Sequence, residues 1–118
     1  MADRVAEGLA VLRLIEADRL SMKAVVDRLE GVHDDPAAIR ATIEAAVDRG
    51  LIERDGETVV RADVAAPDPD PEIVRREGSF DCRRCGRGIG EGYFIEDEVR
   101  SIGPFGSTCI RKVTGREP

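Results

Sequence analysis

At 118 residues the chain has room for one ordinary domain, or for two small units if something besides a large core holds the smaller one together. Its 24 acidic and 18 basic residues leave a formal charge of -6, which repels a phosphate backbone wherever acidic groups dominate locally. No run approaches the roughly 18 apolar residues needed to cross a bilayer and no signal-like apolar core follows Met1, so the expectation is a cytoplasmic protein with no membrane partner.

Val5, Leu9, Leu12 and Ile15 recur at helical spacing and predict a first helix with one core face. Ser21 stands before Ala24, Val25, Val26 and Leu29, a hydroxyl placed to accept amide hydrogens at the start of a second helix that Gly31 ends. A third helix is framed by Asp35 as cap, Pro36 in the first turn and Gly50 at the exit, with Ile39, Ile43, Ala46 and Val47 on its inner stripe. Leu51-Ile52-Glu53 and Thr58-Val59-Val60 flank Asp55-Gly56 and predict a hairpin.

Three short helices and a hairpin, with Arg49-Gly50 leading into Leu51-Ile52, resemble a winged helix-turn-helix domain over residues 4 to 62. That resemblance implies double-stranded DNA as partner, the third helix entering the major groove and the hairpin touching the backbone. Arg40, Arg49, Arg54 and Arg61 are then the contact candidates, although Glu44 and Asp48 share the outer face of the helix with Arg40. The same fold also serves protein partners, and a homodimer would double its contacts. His33, the one histidine, precedes the third helix by a short loop and reads as a solvated or capping residue, with a missing metal ligand as the other reading.

Ala65-Ala66-Pro67-Asp68-Pro69-Asp70-Pro71 propagates neither a helix nor a central strand, and all three cysteines follow it. The expected division is therefore a first domain over 1–64, an extended linker over 65–79 and a small module over 80–118. An odd cysteine count fits thiolate ligands in a reducing compartment better than a disulfide framework.

Phe80-Asp81-Cys82-Arg83-Arg84-Cys85-Gly86 has the spacing of a zinc knuckle, in which two sulfurs face one ion and the glycine permits the tight turn. A thioredoxin-like redox pair is the rival reading of two cysteines two residues apart, but Gly86, Gly88, Gly90 and Gly92 oppose the helix such a pair begins. Tyr93-Phe94-Ile95 predicts a strand, Glu96-Asp97-Glu98 its turn and Val99 to Ile102 the return, before a short helix, capped by Ser107 or a neighbour, that carries Cys109. Cys82, Cys85 and Cys109 are the candidate metal ligands and zinc the expected ion. Asp81, Glu96, Asp97 and Glu98, a partner chain or water are candidates for the fourth position, because Gly106 stands where a second helix ligand would fall.

Knuckle, hairpin and helix in that order resemble small treble-clef zinc fingers. The whole chain also resembles an uncharacterised family of short haloarchaeal proteins that pair a winged-helix-like front with such a cysteine tail, and two lysines amid many acids suit a high-salt cytoplasm. Arg83, Arg84, Arg87, Arg111 and Lys112 make the tail locally basic and extend the nucleic-acid candidates. Tyr93, Phe94 and Phe105 are either base-stacking groups or its small core. No phosphate loop, dinucleotide fingerprint or metalloprotease motif appears, so an enzyme is not expected. The expected fold is α+β, and the expected function is a zinc-binding, transcription-associated regulator that docks on DNA, with a protein-binding adaptor as the alternative.

Overall fold

A computed structural model describes residues 2–15, 17–32, 34–62 and 71–116. The described residues form an α+β fold with four helices and two three-stranded antiparallel sheets. The first part runs α1 (Ala2–Leu14), β1 (Arg19–Ser21), α2 (Met22–Glu30), α3 (Pro36–Asp48), β2 (Ile52–Asp55) and β3 (Thr58–Arg61).

The helix starts follow their caps. Ser21 Oγ accepts the Ala24 amide at 3.1 Å, and Asp35 Oδ1 accepts that of Ala37 at 3.0 Å with Pro36 in the first turn. Gly50 takes a φ of 74° between α3 and β2, and β2 pairs with β3 across the Asp55-Gly56 turn. β3 lies between β2 and β1, giving the order β1-β3-β2.

α1 and α3 close on each other at Gly8, where an added Cβ would stand 2.6 Å from Thr42 Cγ2. Thr42 is fully buried and donates its hydroxyl to the Ala38 carbonyl at 2.8 Å. Val47, expected on the inner stripe, is instead 37 % exposed: the buried set of α3 is Ala38, Ile39, Thr42, Ile43 and Ala46, so the stripe turns away from Val47 in the last turn.

The second part comprises β4 (Glu72–Asp81), β5 (Gly88–Glu96), β6 (Ser101–Phe105) and α4 (Ser107–Thr114). Residues 63–70, which include most of the proline run, lie outside the described residues, as does His33. From Glu72 onward the expected linker is a strand, paired with β5 from Glu72↔Glu96 to Asp81↔Gly88 and shifted in register between Glu77 and Phe80. It is an edge strand with mostly exposed side chains, so it lacks the alternation that announces a half-buried strand. The return strand runs to Phe105, beyond the expected Ile102. α4 starts at Ser107 with Gly106 as its cap residue and no side-chain cap bond.

One buried cluster unites the two parts. Ile95, Ile102, Phe105, Ile110 and Val113 share it with Leu9, Val11, Leu14, Val25 and Leu29. α4 packs against both α1 and α2, so α1 is covered on more than the single face its spacing announces. Polar ties cross the same seam: Arg28 donates to the Thr114 carbonyl at 3.2 Å and Arg116 to that of Leu14 at 2.6 Å.

Candidate metal centre

Cys82 follows the last residue of β4, and the chain turns back at once. Its amide donates to the Arg87 carbonyl at 2.8 Å, its carbonyl accepts the Gly86 amide at 2.7 Å, and Gly86 takes a φ of 76°. The Arg83 amide donates to the Pro104 carbonyl at 2.7 Å, fastening the turn to β6. Cys109 is the third residue of α4. The three sulfurs lie within 4.8 Å of one another, with Cys82 and Cys109 buried and Cys85 exposed.

The sulfurs differ in their surroundings. Burial of Cys82 favours the neutral thiol, but the amides of Cys85, Gly106 and Arg84 and the thiol of Cys109 outweigh it, drawing the Cys82 pKa from 9.0 to about 7. The Gly106 amide stands 3.4 Å from Cys82 Sγ. Burial pushes the Cys109 thiol up, against the pull of Arg84, whose Nη1 is 3.7 Å from the sulfur. Preformed amide donors, one guanidinium and converging sulfurs are what a thiolate-bound cation requires, and the cluster could hold one metal ion.

No carboxylate joins the cluster among the described residues. Asp81 ends β4 as an exposed residue. Glu96 binds Arg76, with Nη2 to Oε1 at 2.9 Å, and accepts the Ser101 hydroxyl at 2.8 Å. Asp97 closes its own turn by accepting the Val99 and Arg100 amides, both at 2.8 Å, while Glu98 is exposed and lines a small cleft against α1.

Several candidate nucleic-acid residues have structural partners. Arg61 donates to the Ile15 carbonyl, Arg83 to that of Val32 at 3.0 Å while pairing with Glu7 at 2.7 Å, and Arg84 to Cys109. Arg40 and Arg54 line a cleft of about 530 Å³ beside α2 and α3, whose wall is Met22, Val26, Ile39 and Ile43. Arg49, Arg87, Arg111 and Lys112 are exposed. Among the aromatics Phe105 is fully buried, Tyr93 is half-buried, and Phe94 packs edge-on to Phe80 at 5.7 Å with Arg76 at 5.1 Å over its ring. They serve the core and the sheet.

Sequence reasoning missed the Gly106 amide as a sulfur donor and Arg83 as a bridge between the two parts. Gly106 was visible as a position lacking a side chain, but its backbone role depends on where β6 ends; the reach of Arg83 to Val32 spans 51 residues and leaves no local signal.

No curated protein and no solved structure matches the chain. A model for a family of unknown function (DUF5830) matches residues 4–117, and with nearly its whole length covered the chain belongs to that family.

Proposed function

We propose that this protein is a small transcription-associated regulator, built as a winged helix-turn-helix that docks on duplex DNA and a treble-clef-like module that binds zinc. The observation that carries the reading is the order α1-β1-α2-α3-β2-β3 with β1 added beside the hairpin, the arrangement in which α3 serves as recognition helix and β2-β3 as wing. Arg40 on the outer face of α3 and Arg54 on the hairpin are the contacts of choice, with Arg49 at the helix end. For the module, tetrahedral zinc with Zn–S near 2.3 Å sets its sulfurs about 3.8 Å apart, a spacing that a set within 4.8 Å reaches with small side-chain adjustments. The acidic, lysine-poor composition suits a cytoplasm rich in salt.

Fluorescence anisotropy against a mixed-sequence duplex at several salt concentrations tests the DNA contact. Arg40→Ala and Arg54→Ala each lower affinity, and each lost phosphate contact lowers the salt slope by about 1. An absence of salt-dependent binding by the zinc-loaded chain sinks this reading. A second reading, an adaptor for a protein partner, is favoured by the cleft beside α3, because Glu30, Asp34 and Glu44 outnumber Arg40 and Arg54 around its apolar wall.

A further inference from the structure

Among the described residues the cluster has three donors, where a closed structural zinc site has four. Position 106, three residues before Cys109, is where the helix would offer another, and it is Gly106. The backbone there already faces the sulfurs, since its amide donates to Cys82 Sγ, yet no side chain does. The space itself is available: a Cβ on Gly106 would meet Ile89 Cγ2 at 3.4 Å, ordinary contact. Glu96 and Asp97 are committed to Arg76, Ser101 and their own turn.

The outer side of the cluster is open as well. Cys85 is exposed, and a Cβ on Gly86 or Gly88 would meet nothing within 4 Å. The neighbouring charge is positive, with Arg84 on Cys109 Sγ and Arg87 exposed beyond the turn. A borderline-soft ion already held by thiolates, in an open and basic setting, favours a further soft anion over a cationic donor.

We infer that the metal held by Cys82, Cys85 and Cys109 keeps its fourth position open on the Cys85 side and takes there an exchangeable thiolate from a small thiol in solution. The inference rests on the zinc reading above. On binding, the thiol would give its S–H proton to solvent and its sulfur would displace the water that otherwise completes the ion's shell, with no electron changing hands. The module is then a reader of small-thiol supply, with its metal as the point of contact.

The test replaces zinc by cobalt(II) in the full chain and follows the visible spectrum while 2-mercaptoethanol, acetate or imidazole is added. Thiol is expected to shift the ligand-field bands saturably and to raise the sulfur-to-cobalt charge-transfer band by about one third, as three thiolates become four. Native mass spectrometry then finds one thiol added per metal-bound chain. Gly106→Cys is expected to give the four-thiolate spectrum without added thiol and to ignore further thiol. A wild-type cobalt spectrum that thiol leaves unmoved overturns the inference while preserving the metal site, and a change on His33→Ala would identify an internal fourth ligand. Failure to bind cobalt at all removes the metal reading together with this one.

Discussion

The pKa values of two buried thiols a few ångströms apart are moved in opposite directions, Cys109 up by burial and by the neighbouring Cys82 and Cys85, and Cys82 down by backbone amides. Cys82 faces a set of amide donors, so its thiolate is stabilised despite burial; Cys109 lacks that set and burial prevails. Between about pH 7 and about pH 9 the folded, metal-free protein has released the Cys82 proton while the unfolded chain still holds it. Stability therefore rises with pH across that window. Above it the unfolded chain loses both protons while Cys109 retains its own in the fold, and stability falls. Urea unfolding of the reduced, chelated protein is expected to give a highest midpoint near pH 9, and Cys82→Ser to flatten the rise below it. A flat profile for the wild type would show that the amides do not favour the thiolate. Cysteine identity and spacing marked these residues in the sequence, but their unequal acidity depends on amides from the turn and from Gly106, which only the folded backbone brings together.

Arg83 joins the turn after β4 to the first helices. Its Nε donates to the Val32 carbonyl and its Nη2 stands 2.7 Å from Glu7 Oε2, with both side chains largely shielded from water. Replacing it removes a charge-assisted bond and leaves a carbonyl and a carboxylate without their partner, so Arg83→Ala is expected to cost about 1.5–3 kcal/mol of unfolding free energy in denaturant titrations. Arg83→Lys keeps the charge but not the planar fork, and recovers only part. A neutral Arg83→Ala would mean that the turn is fastened elsewhere. Elements with local punctuation were legible beforehand: Ser21, Asp35-Pro36 and Asp55-Gly56 mark their helices and hairpin. β1 and β4 were not. The first is three residues long and exists through its pairing with β3; the second is an edge strand whose exposed charges leave almost no period to read.

Over the whole molecule, the proline run suggested two bodies, yet their apolar groups share one buried cluster. Shared burial therefore helps to hold the tail, with Ile110 and Val113 fully enclosed. Ile110→Ala is expected to lower stability by about 2–5 kcal/mol and to speed amide exchange in α1 and α2 as well as α4. If only α4 responds, the two parts are energetically separate. Local spacing could name the face of α1 but not its meeting with α4, because that contact depends on a route through the intervening sheet.

The seam between α4 and the first two helices also bears on the order of events during synthesis. The apolar surfaces of α1 and α2 that α4 covers are made before it, and their cover follows only after α3 and β2 to β6 have been made. Until it arrives, the nascent chain carries a bare greasy face, and protection by a chaperone matters most in that interval.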